Sequence, residues 1–194
     1  MFKKILVALD LLDSNKAVFQ QALALAEATG AELMLFHALS GESDGGPTIP
    51  VSATWDYYAI TSDRTWNLYQ EQWKAYQHHG QETLRDFAQQ AQRRGIHAEF
   101  AQFARAPGKA VCDLAGSWGA NVIVMGSHRR TGLKELLLGS VSNYVTHHAP
   151  CCVFLVHLSK DASNNEEIDS RKTNSQKMAA GTKVEAPPKV QLRR

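Results

Sequence analysis

Residues 122–156 read VIVMGSHRRTGLKELLLGSVSNYVTHHAPCCVFLV, and this stretch decides the fold. The apolar run Val122–Met125 is a buried strand that stops at Gly126, and Gly132 and Gly139 punctuate the loop behind it. Gly139-Ser140-Val141-Ser142 then opens a helix whose apolar side is expected at Val141, Tyr144, Val145 and His148. A second buried strand follows from Cys152. A helix start presents backbone N–H groups and the positive end of the dipole, so anions settle there. Gly139 removes a Cβ where a phosphate would need close approach, and the Ser140 and Ser142 hydroxyls can donate. The stretch reads as one phosphate-binding half of an α/β sheet.

Working outward, a strand at about residues 3–9 precedes a helix capped by Asp13-Ser14, with Val18, Ala22, Leu25, Ala26 and Thr29 on one stripe and Gly30 as its stop. Strand two runs from about Glu32 to Ala38. A third, His97–Phe103, alternates less cleanly and is assigned to an edge, and a helix begins near Pro107. Strands four and five are continuous apolar runs, as expected when helices cover both faces. Strands alternating with helices imply α/β architecture with right-handed crossovers. The expectation is a single doubly wound five-stranded parallel sheet, order 3-2-1-4-5, with helices on both faces and an extended second helix. The ligand crevice then lies between strands one and four, where the order reverses. Asp10, Gly126 and Ser127 all fall at the carboxyl ends of strands flanking it.

Residues 41–81 exceed what such a domain needs. Ser40–Pro50 is a polar loop, and from Trp66 onward Trp66, Tyr69, Trp73, Tyr76, Leu84, Phe87 and Ala91 share one helical face, with Gly80 a place for a kink or break. The aromatic half can cap the crevice, pack on a partner, or fold back on its own domain, and Trp55, Tyr57 and Tyr58 are expected to join whichever cluster forms. From Ser159 bulky apolar residues nearly vanish, so residues 159–194 read as a disordered tail behind a domain at 1–158.

Composition narrows the function classes. A net charge of +2 is too small to imply nucleic acid or an anionic membrane, and no run reaches the roughly eighteen apolar residues needed to span a bilayer. The apolar run after Met1-Phe2-Lys3-Lys4 ends too early, at Asp10, for a signal peptide. Cys112, Cys151 and Cys152 form no disulfide framework, which fits a reducing cytoplasm. His147-His148-Ala149-Pro150-Cys151-Cys152 invites a metal reading. Successive strand side chains point to opposite faces, however, so no metal site is assigned. No nucleophile–base–orienter set and no Walker-type lysine is present, so no catalytic residue is assigned either.

The segment from Gly126 to Gly139-Ser140, together with Leu136–Leu138 and His148-Ala149-Pro150-Cys151, resembles the nucleotide-binding signature of the universal stress protein family. Lys4–Asp10, Gly30–Ala38 and Pro107–Met125 resemble its first strand, second strand, and third helix with fourth strand; the likeness covers roughly residues 1–40 and 82–157. The middle glycine of the signature is replaced by Arg129, with Gly132 three residues on. The resemblance implies ATP, with or without Mg²⁺, held without fast chemistry. Asp10 would lie near the ribose and Ala38 along the adenine, with the amides around Gly126–Ser127 and Gly139–Val141, and Ser140 and Ser142, on the phosphates. Arg129 either reaches a phosphate as a forked donor or fills the space of the missing glycine. The resemblance also implies a homodimer through strand five, Cys152–His157, whose open edge is a template for pairing. The alternative is a dimeric interaction module of the same fold without nucleotide, meeting a protein partner through the 41–81 insertion. Slow ATP hydrolysis and autophosphorylation stay open.

Overall fold

The computed structural model describes residues 1–12, 15–41, 46–47, 63–127 and 139–157. The expected cap Asp13-Ser14, Trp55, Tyr57 and Tyr58 of the insertion, the loop residues Arg129 and Gly132, and the tail 159–194 lie outside the described residues. Five strands form one parallel sheet: β1 (Lys4–Ala8), β2 (Glu32–Leu39), β3 (Ala98–Ala104), β4 (Val122–Ser127) and β5 (Cys152–His157). Their order is β3-β2-β1-β4-β5, the doubly wound arrangement expected. Between them run α1 (Asn15–Thr29), α2 (Asp63–Arg93), α3 (Pro107–Trp118) and α4 (Ser140–His148). No described helix is long and apolar enough to cross a membrane.

Alternation along the strands divides the core in two. Ile5, Val7, Leu33, Leu35, Val122 and Val124 bury one face under α1 and α2. Leu6, Met34, Phe36, Ala38, Ile123 and Met125 bury the other under α3 and α4. Period-two alternation on both sides of a parallel sheet explains why β1 and β4 read as unbroken apolar runs.

Three helical and strand faces differ from the sequence expectation. On α1 the buried stripe is Val18, Phe19, Ala22, Leu23 and Ala26, whereas Leu25 and Thr29 are half-exposed. Phe19 stacks on Phe87 of α2 with centroids 4.4 Å apart, and that pairing turns α1 about its axis. On α4 Val145 and Ser142 are buried, while Tyr144 and His148 lie exposed and stacked on each other at 4.1 Å. Tyr144 covers Gly108 at the start of α3, where a Cβ would come within 2.7 Å of its ring. β5 is only partly covered, and Phe154 is 43% exposed, because the strand has a sheet neighbour on one side only.

Gly80 does not break α2, which is continuous from Asp63 to Arg93. A Cβ there would collide with the Gln102 amide nitrogen and stand 3.0 Å from His37 Nδ1. The glycine permits close approach of α2 to β2 and β3, and the helix bears its propensity cost of roughly 1 kcal/mol.

Candidate functional site

The crevice begins where β1 stops. The β1–β4 ladder ends at Ala8–Met125, while β4 continues against β5 through Gly126–Val156 and Ser127–His157. On the other side Leu9 N–H donates to Phe36 O at 2.9 Å, and β2 runs on to Leu39. The chain therefore leaves the sheet at Asp10 between two strands that extend past it, which opens a notch at the reversal of strand order.

Asp10 is held by a residue that sequence reading missed. Asn15, the buried first residue of α1, accepts the Asp10 N–H at Oδ1 (3.0 Å) and returns its Nδ2–H to the Asp10 carbonyl. Asp10 Oδ1 accepts the Leu12 N–H at 3.1 Å, an Asx-type turn that points the short carboxylate back over its own loop. The only signal for Asn15 was a polar residue opening a helical pattern, and Asp13-Ser14 masked it.

Gly126 is half-buried and Ser127 buried, at the end of β4. Gly139 precedes α4 at φ −57° and ψ 158°, an extended conformation open to any residue, so its lack of a side chain matters for access and not for backbone freedom. No side chain caps α4, and the first helical bond runs from Asn143 N–H to Gly139 O (2.8 Å). The amides of Ser140, Val141 and Ser142 precede that bond and have no acceptor within the helix. Ser140 is exposed and Val141 half-buried. The Ser142 hydroxyl donates back to Gly139 O at 3.0 Å and is buried, so it braces the first turn instead of standing free as the expected donor.

Ala38 is 7% exposed and faces the α3 side of β2, packed with Leu6, Phe36 and Met125. Its neighbour His37 faces the other side and is buried. His37 Nε2 lies 3.2 Å from the Tyr76 hydroxyl, and the Gln102 Nε2–H donates to Nδ1 at 2.9 Å. Burial pushes the imidazole pKa down to about 4, against the attraction of the Asp10 carboxylate and with the help of the His79 charge. The ring is neutral at neutral pH.

The histidine–cysteine run does not converge. The His148 Nδ1–H donates to Tyr144 O at 2.8 Å while its ring stacks on Tyr144. Burial raises the Cys112 and Cys151 thiols above their ordinary range, which keeps them protonated, and Cys152 is exposed.

The sequence model of the universal stress protein family matches residues 1–157. Universal stress protein Slr1101 of Synechocystis is 42% identical over 100 residues, covering 52% of this chain and 93% of its own length. Sll1388 of the same organism is 34% identical over 155 residues, covering 80% and 97%. Among solved structures, UspA of Lactobacillus plantarum has a TM-score of 0.61 at 20% identity, with 80% of this chain and 97% of that one aligned. A universal stress protein in complex with cAMP aligns at TM-score 0.51 and 24% identity over 81% and 98% of the two chains. An Arabidopsis thaliana family member with AMP bound aligns at 0.54 and 17% over 82% and 94%. At these identities the structural likeness is one of fold. The extent of the sequence match goes further: this chain belongs to the universal stress protein family.

Proposed function

We propose that the chain is a stress-response protein that binds an adenine nucleotide, with ATP the expected form, in the notch between the carboxyl ends of β1 and β4, and acts as a dimeric regulatory module without fast turnover. The observation that carries this reading is the extension of β4 beyond β1 to Gly126–Ser127, together with the uncapped start of α4. Structural neighbours with cAMP and AMP bound support the choice of an adenine nucleotide over other anions. Asp10 would accept from the ribose hydroxyls and Ala38 would line the base. The amides of Gly126, Ser127, Gly139, Ser140, Val141 and Ser142, with the exposed Ser140 hydroxyl, would meet the phosphates. Arg129 and Gly132, which lie between β4 and α4 in the sequence, would complete the phosphate side, with Mg²⁺ as an optional counterion.

Calorimetry with AMP and ATP, with and without Mg²⁺, tests the reading. Saturable binding that Gly139→Val abolishes is the expected result, because valine is compatible with that backbone and only closes the approach. A folded chain that binds neither nucleotide overturns it.

The dimer would form through the open edge of β5, where Phe154 is exposed. Replacing Phe154 or Val156 with Asp should give monomers in light scattering, whereas an unchanged dimer mass would move the interface elsewhere. A second reading, an interaction module without nucleotide, draws on the exposed Trp66 and Leu68 of α2 (55% and 53%). Absence of nucleotide binding would favour it.

A further inference from the structure

The nucleotide reading draws on the ends of β1, β2 and β4 and assigns nothing to β3, the strand beyond Ala38. We propose that Phe103, the register partner of Ala38 on β3, is the base-side wall of the notch. The nucleotide base reaches past Ala38 and stacks on the Phe103 ring, which sets a preference for purines over pyrimidines. This rests on the nucleotide reading above.

The register of the sheet carries it. On the α3 face one row runs Met125, Ala8, Phe36, Ala101 across β4, β1, β2 and β3. Two residues nearer the carboxyl ends, Ala38 pairs with Phe103, and β4 reaches the same level at Ser127. Strand alternation puts Phe103 on the face of Ala101, and its ring centroid lies 4.8 Å from that of Phe36. From β4 to β3 the three inter-strand steps make about 14 Å, which suits a nucleotide lying across the strand ends with its phosphate at β4 and its base at β2 and β3. Ala38, 7% exposed, offers such a base little surface, and Phe36 beneath it is buried. Phe103 stands open beside them at 37%. Covering Phe36 needs only an apolar side chain, whereas a base needs a flat one, since every base presents a π-face. The ring is also held in place. β3 stays paired with β2 through Leu39–Ala104, and just beyond it Arg105 pairs with Asp113 of α3 at 3.1 Å. Phe103 therefore stands on a fixed strand end, as a stacking platform requires. A pyrimidine is shorter than a purine, so from the same phosphate and ribose positions it meets less of the ring.

The test uses the full chain with AMP and CMP as probes. Calorimetry compares wild type with Phe103→Ala and Phe103→Tyr, and carbon-edited NMR follows the Phe103 ring during AMP titration. Phe103→Ala should weaken AMP about 5- to 20-fold, the low end for loss of a base–aromatic stack, and should narrow the preference for AMP over CMP. Phe103→Tyr, which keeps the ring, should restore both. Should Phe103→Ala fail to fold, Phe103→Leu, which still covers Phe36 but has no π-face, takes its place. Unchanged AMP affinity in the variant, an equal loss for AMP and CMP, or ring signals that AMP leaves unmoved overturn the stacking role, while AMP binding by wild type keeps the nucleotide reading intact. Wild type that binds no AMP removes both.

Discussion

In the first half of α2, Trp66, Tyr69 and Trp73 stand at helical spacing with ring centroids 5.8 and 6.3 Å apart, yet Trp66 is 55% exposed. In the second half, Leu84, Phe87 and Ala91 repeat that spacing and are buried under the sheet and α1. Tyr76, the last ring of the ladder, is the crossover, buried against His37 at a centroid distance of 5.5 Å. From His37 the strand has two residues left, Ala38 and Leu39, about 7 Å at the rise of a β-strand. From Tyr76 back to Trp66 the helix has ten, about 15 Å. The first half of α2 thus outruns the sheet that buries the second. Spacing defines which side chains share a face, and strand length decides whether anything lies beneath it.

The sharpest way to break this comparison is Phe87→Ala, which removes a ring stacked on Phe19 and should cost about 3–5 kcal/mol in urea unfolding. Next comes pH. His37 has a folded pKa of about 4 against an ordinary 6.5, so the unfolded chain binds its proton first. Stability from this group is complete above pH 6.5 and is lost as pH falls through 4, by up to about 3 kcal/mol. The difference between wild type and His37→Gln across that window should show the slope; parallel curves would mean that the ring is not buried as described. Gly80→Ala sharpens the crossover itself. It should displace the Gln102 amide from His37, losing about 1 kcal/mol that the gain in helix propensity roughly offsets. The variant should therefore melt within about 1 kcal/mol of wild type while its His37 NMR signal moves. Smallest of all, Trp66→Ser should change stability by no more than about 0.5 kcal/mol. A larger loss would show that the exposed ladder is covered in solution.

Much of the fold was legible because its strands are apolar runs closed by glycine or aspartate, such as Leu6–Leu9 before Asp10 and Val122–Met125 before Gly126. Faces of helices were less so. Thr29 sits on the α1 stripe by spacing, but Phe19 and Leu23 win the core once Phe87 offers a ring to stack on. Tyr144 was expected inward and instead lies over Gly108, a contact between two helices that no local pattern records. The placement of Asp10, Gly126 and Ser127 at strand ends beside the reversal was legible from chain order alone, since strand ends in a doubly wound sheet point the same way. The Asn15 brace was obscured by a better-looking cap beside it. The His37 cluster carried only one faint signal, a lone histidine inside an otherwise apolar strand.

By itself, then, the sequence determined the strands, their parallel order, the family, and which backbone ends meet at the reversal between β1 and β4. These follow from short-range pattern and chain order, which hold whatever the side chains later touch. Only the tertiary structure decided that Gly80 is a point of contact and not a break, that Ser142 braces its own helix, and that His37 is held by Tyr76 and Gln102. The partners of His37 stand 39 and 65 residues away along the chain. Contacts at that separation depend on how the helices settle on the sheet, and a desolvated polar group takes its meaning from whatever is packed against it.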